Sequence, residues 1–140
     1  ESPAAAYAGR FEAASGPAAR LREVPFEPMW EVRGADPGAG LRLGPSWWLV
    51  TGDVTPHEDW VDVSGQRTIL ELSGPSALDV LITGCPIDLH PEVFPGHAQT
   101  LLGKTSVILE RRAPETYRVH VRSSFTTYLA EWLLDALVAL

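Results

Sequence analysis

WVDVSGQRTILELSGPSALDVLITG, residues 60–84, changes its periodicity partway along, and that change decides the fold. Up to Leu72 the apolar residues alternate, which is strand patterning, with two strands joined near Ser64-Gly65 by hairpin or bulge chemistry and Ile69 and Glu71 at alternating positions. From Ser73-Gly74-Pro75 the spacing becomes helical. Pro75 is expected at the first helical position, where its missing N–H is not needed, and the helix through Leu78, Leu81 and Ile82 ends at Gly84.

The same alternation continues beyond that helix. AQTLLG (98–103), TSVILERR (105–112) and TYRVHVR (116–122) read as three strands, the last two joined by the turn APET, with Tyr117, Val119 and Val121 on one face. Ser123 or Ser124 is expected to cap a last helix whose apolar stripe runs through Phe125, Tyr128, Leu129, Trp132, Leu133, Ala136 and Leu137. Strand, helix, strand, strand, helix implies an α+β fold, an antiparallel sheet with helices on one face in a ferredoxin-like layer.

Upstream, LREVPFEPMWEVRG reads as a strand alternating around Phe26, Trp30 and Val32, with Pro25 and Pro28 near a sheet edge. A short strand at Leu41–Leu43, a Gly-Pro turn and a strand from Trp47 to Thr51 follow. Residues 1–21 are rich in small residues and are expected to be partly ordered, docking through Tyr7 and Phe11 by one helical turn. The chain of 140 residues is long enough for one core, so residues 22–140 are assigned to a single domain.

A formal charge of −7 opposes nucleic acid and anionic membranes. The opening stretch has no basic segment followed by an apolar core, and the most apolar C-terminal run is broken by Glu131 and Asp135. A single cysteine cannot form an internal disulfide, and Cys85, His57, His90, His97 and His120 lack zinc-site spacing. A reducing, cytoplasmic setting fits these features.

GCPIDLHP (84–91) gathers a thiol, a carboxylate and an imidazole. Cys85 follows a helix C-terminus, where the dipole disfavours a thiolate, so packing is its expected role. Asp88 in a Pro-bounded turn is expected to accept backbone N–H groups, and His90, with no partner carboxylate in view, to be a structural residue. Arg67 is expected to point at a carboxylate such as Asp62 or Asp88. Adjacent on one strand, Trp47 and Trp48 must face opposite sides, one in the core and the other outward near Trp60 as an interface candidate. Gln99, on the AQTLL strand, is a further candidate contact. No nucleotide-binding glycine motif and no nucleophile elbow occurs.

ESPAAAYAGRFEAASGP, LREVPF, LGPSWWLV, VDVSGQRTILELSGPSALDVLITGCPIDLHPEVF, AQTLLGKTSVILERR and YRVHVRSSFTTYLAEWLLDAL, in this order, resemble the gamma subunit of heterotetrameric sarcosine oxidase nearly end to end. The segments between the PF and LGP strands, and between LGP and VDVS, are shorter than is usual in that family, so the chain reads as a shortened member. The resemblance implies a fold similar to the folate-binding domain of aminomethyltransferases. It also implies a noncatalytic subunit of an enzyme that demethylates sarcosine to glycine and passes the one-carbon unit to tetrahydrofolate. Alpha, beta and delta subunits are the implied partners, with FAD, FMN, NAD, tetrahydrofolate and zinc expected on them and no cofactor or catalytic residue on this chain. A homo-oligomer when alone, and a standalone folate or one-carbon binding module, are the alternatives; the second would need Asp62 or Asp88 to hold pterin donors beside Trp47 or Trp48.

Overall fold

Nine strands and three α-helices make up the fold in the computed structural model, which describes residues 2–140. The strands are β1 (Arg20–Glu23), β2 (Met29–Arg33), β3 (Leu41–Gly44), β4 (Trp47–Thr51), β5 (Val61–Asp62), β6 (Arg67–Ser73), β7 (His97–Leu102), β8 (Thr105–Ala113) and β9 (Thr116–Arg122). The helices are α1 (Ala8–Ala14), α2 (Ala77–Ile82) and α3 (Thr126–Val138). Every strand pairing is antiparallel, which places the chain in the α+β class. The residues gather into two compact units, one running up to Val24 and resuming at Arg67, the other spanning Pro25–Gln66.

The first unit is a five-stranded sheet in the order β1-β6-β9-β8-β7. Alternation gives it two chemically different faces. Leu70 and Leu72 of β6, Tyr117, Val119 and Val121 of β9, and Val107 and Leu109 of β8 point into a core shared with all three helices. α3 contributes Leu129, Ala130, Leu133, Leu134 and Leu137, and α2 contributes Ala77, Val80 and Leu81. Burial of a leucine such as Leu133, which is 0% exposed, is worth about 1.5–3 kcal/mol, so this stripe dominates the stability of the layer.

Helix ends depart from the expected chemistry. Ser123 and Ser124 do not cap α3; they form a 3-10 turn, Ser123–Phe125, with no side-chain cap bond. The first helical residue, Thr126, instead donates its buried hydroxyl to Thr68 Oγ1 on β6 at 3.0 Å, tying the helix start to the sheet. The apolar stripe is rotated relative to the sequence reading, so that Phe125 and Tyr128 are exposed while Ala130 and Leu134 are buried. α2 begins at Ala77, two residues past Pro75. Near the N-terminus, α1 seals Phe11 into the core, 1% exposed, with Tyr7 stacked on it at 5.7 Å.

The second unit is a four-stranded sheet in the order β3-β4-β2-β5. The strand expected across Phe26 to Val32 is broken, because Pro25 and Pro28 interrupt the ladder and β1 and β2 join different sheets. Phe26 is left 75% exposed. The hairpin expected at Ser64-Gly65 is also absent, since β5 pairs with β2 and β6 pairs with β1 and β9. Ser64 instead ties its own unit together, its hydroxyl accepting the Met29 N–H at 2.9 Å.

Tyr117 carries a buried hydroxyl with no hydrogen-bond partner among the described residues. An orphaned polar group in a core is unfavourable. Tyr117→Phe is therefore expected to leave the thermal midpoint unchanged or raise it, whereas Leu133→Ala should cost about 2–5 kcal/mol in denaturant titration, because it opens a cavity.

Candidate functional site

The thiol, carboxylate and imidazole of the 84–91 turn are each engaged by groups in or beside the turn. The turn is bolted to the β7–β8 turn by Gly103, which donates its N–H to the Gly84 carbonyl at 3.0 Å, and Lys104 next to it donates its N–H to Tyr128 Oη of α3 at 2.9 Å. Gly84 lies directly beneath the Trp132 indole, where an added Cβ would fall 2.3 Å from Cζ2. Gly103, at φ +61, occupies the left-handed region in contact with both Trp132 and Tyr128.

Within the turn, each polar side chain serves nearby structure. Cys85 packs half-buried against the core with Sγ 3.6 Å from Thr100 Oγ1. Asp88 accepts the His90 backbone N–H at 2.8 Å, as its place in a turn implies. His90 is exposed, and its Nδ1 accepts the Glu92 N–H at 3.2 Å. Leu89 and Phe94 anchor the segment in the core, which makes GCPIDLHP a fold-defining turn. No group of three or more His, Cys, Asp or Glu that could hold a metal occurs among the described residues.

Trp47 and Trp48 do face opposite sides of β4. Trp48 is buried with Val32 and Val50, and Trp30 and Trp60 pack against that cluster. Trp60, expected beside the outward tryptophan, therefore lies with the inward one, its ring 5.2 Å from that of His57. Trp47 is covered by Arg33, whose guanidinium sits 4.5 Å from the ring while bridging to Glu31. The indole N–H groups of Trp30 and Trp47 are buried without a hydrogen-bond partner among the described residues. Asp62, considered for Arg67, accepts the Ser64 N–H at 2.9 Å, and the Ser64 hydroxyl and N–H together hold its carboxyl below the ordinary range. Arg67 lies half-buried at the start of β6, opposite Arg122, and Gln99 is exposed on β7.

The most organised polar feature is one that the sequence reading did not single out. On the sheet face away from the helices, Arg22, Glu71, Arg118 and Glu110 are cross-strand partners in one row over β1, β6, β9 and β8. Their charges alternate, which is the favourable arrangement for directly opposed residues. Glu71 bridges Arg22 at 2.8 Å and Arg118 at 3.2 Å. Glu110 bridges Arg112 at 2.8 Å and His120 at 3.3 Å, His120 being 2% exposed. Burial pushes the Glu110 carboxyl up, but the hydrogen bonds and charges of His120 and Arg112 outweigh it and bring the group down to about 2. Tyr117, Val119 and Val121 define the apolar face of β9; the signal for this row was the opposite set, Arg118 and His120, on the same strand.

A carboxyl whose value is depressed on folding stabilises the protein above its ordinary value near 4.5 and loses that contribution as pH falls through about 2. Guanidinium midpoints should therefore drop between those pH values in the parent chain, and more shallowly in Glu110→Gln. Gly84→Ala should lower stability by about 1–3 kcal/mol because Trp132 must shift, while Cys85→Ser should lower the thermal midpoint only mildly.

A family model described as the sarcosine oxidase gamma subunit family matches residues 51–139. The sarcosine oxidase subunit gamma of Corynebacterium sp. (strain U-96) is 39% identical over 123 residues, covering 76% of this chain and 60% of that protein. The corresponding subunit of Corynebacterium sp. (strain P-1) is 40% identical over 79 residues, covering 55% of this chain and 39% of that one. The chain thus spans between 39% and 60% of the length of these curated relatives. Among solved structures, a chain of the heterotetrameric sarcosine oxidase from Corynebacterium sp. U-96, in complex with pyrrole 2-carboxylate, matches with a TM-score of 0.88. It is 30% identical, and the match covers 99% of this chain and 95% of that one.

Proposed function

Because the chain belongs to the sarcosine oxidase gamma subunit family, we propose that it is a noncatalytic, structural subunit of a heterotetrameric sarcosine-oxidase-like flavoenzyme. The observation that carries this reading is the 0.88 TM-score over 99% of the chain to a chain of such an enzyme. In this reading the complex demethylates sarcosine oxidatively to glycine and the one-carbon unit passes to tetrahydrofolate. Alpha, beta and delta subunits are its partners and carry FAD, FMN, NAD, tetrahydrofolate and zinc. The assembly works in the cytoplasm, which fits a chain with one cysteine and, among the described residues, no helix long and apolar enough to cross a membrane.

The local geometry supports a supporting role. Hydride transfer requires a cofactor cradled by the protein. The side chains of Asp88 and His90 are engaged with backbone N–H groups of their own turn. Cys85, Asp88, His90, Arg67 and Trp48 then serve the fold, while Trp47 and Gln99 are what the chain offers to a neighbour. A standalone folate module is not favoured, since Trp47 and Trp48 point to opposite faces and Asp62 and Asp88 each cap a local turn.

Co-expression with its genomic neighbours is expected to bring down flavin-containing chains with this one. Purified alone, the chain is expected to be colourless and inert toward sarcosine. A tidy monomer that ignores those subunits, or a lone chain that retains flavin, would overturn the reading.

A further inference from the structure

β1 is an outer strand of the five-stranded sheet, so one side of its backbone has no strand to bond to. Bare edges of this kind invite pairing with another chain, and proteins blunt them with charge, proline or covering segments. Of the charged side chains on β1, Arg22 is held across the inner ladder by Glu71, which Arg118 shares. The inner side is set by the ladder. Val24 donates its N–H to the Ile69 carbonyl at 2.9 Å, so the outward backbone groups alternate back to Glu23 and Leu21.

Both outward groups of Leu21 meet the same side chain. Ser15 Oγ accepts the Leu21 N–H at 2.9 Å and lies 3.3 Å from the Leu21 carbonyl oxygen. It also donates to the Phe11 carbonyl at 2.7 Å, which ties the end of α1 to the strand edge. One residue further along, Gly16 donates its N–H to the Ala19 carbonyl at 2.9 Å. Glu23, the next outward residue, is reached by the Ser2 hydroxyl through its carboxylate.

The covering segment is itself pinned at two further points. Phe11 is buried in the core. Tyr7 donates its hydroxyl to Glu131 Oε2 at 2.8 Å, and Arg10 grips both oxygens of the same carboxylate at 2.8 and 3.0 Å. Such exposed pairs add little to global stability. They hold the start and middle of the segment against α3, while Ser15 closes α1 through its own N–H and hydroxyl.

We propose that the segment from Ser2 to Ser15 is an edge guard, which occupies the bonding side of β1 and so prevents a second copy of this chain from adding a strand there. A second copy is the natural intruder, because strand addition between identical edges closes into a two-fold dimer through one repeated contact. The guard keeps the chain singular and available for contacts elsewhere.

The test compares the full chain with Ser15→Val, which keeps the size and removes the hydroxyl, and with Ser15→Thr, which retains it. Loss of one hydrogen bond should speed amide exchange at Leu21 by about five- to tenfold in Ser15→Val and leave it near the parent value in Ser15→Thr. Light scattering should then show a concentration-dependent dimer for Ser15→Val only. Adding Glu23→Pro, whose missing N–H lies on the outer side, should return that variant to a monomer. Should Ser15→Val fail to fold, Glu131→Ala loosens the same segment from the surface without touching the core, and should give the same dimer. Two results overturn the proposal: a variant that exchanges faster at Leu21 yet stays monomeric, or a parent chain already joined through β1 and separated by Glu23→Pro.

Discussion

The pairing of β6 with β9, seven residues in unbroken register from Arg67↔Arg122 to Ser73↔Thr116, is the constraint on which the first unit depends. Because side chains alternate, this one register sends Leu70, Leu72, Tyr117, Val119 and Val121 toward the helices and Glu71, Arg118 and His120 to the opposite face. A slip of β9 by one residue would turn Arg118 and His120 under α3 and send Tyr117, Val119 and Val121 to the far face. Hydrophobic burial against α3 and ion pairing on the far face therefore reject the same error independently.

Much of this layer could be read from sequence because its signals are local. TILEL, TYRVHVR and the α3 leucines each carry a clear period over many residues, and their elements lie where the period places them. What escaped was non-local. Nothing in LREVPFEPMWEVRG states that its two halves join different sheets; that follows from which strands they meet, Glu23 facing Leu70 and Trp30 facing Val50. The loss of a hairpin at Ser64-Gly65 has the same origin, since β6 finds a longer partner in β9 than β5 could provide. α3 buries Ala130 and Leu134 rather than Phe125 and Tyr128, and its Trp132 lies against two glycines distant in sequence, Gly84 and Gly103.

The polar residues divide in the same way. Asp88 and Cys85 behave as the chemistry of a tight turn and of a helix end suggests, so their roles were legible from neighbours one to three places away. The Arg22–Glu71–Arg118–Glu110 row was not, because its members come from four strands and only the register aligns them. A histidine between cross-strand neighbours Ile69 and Ile108 looks unremarkable in sequence, yet it helps to keep the Glu110 carboxyl ionised in a buried setting.

The chain leaves the first unit after Val24 and re-enters it at Arg67, and the strands on either side of that excursion are ladder neighbours. Topologically, Pro25–Gln66 is cargo carried in the bend of a hairpin. Its two exits are held together by β1 and β6, and the entropy of closing such a bend grows only logarithmically with the number of residues inside it. Material can therefore be gained or lost in this stretch across related proteins while the parent sheet keeps its alignment, so variation in size should accumulate here first.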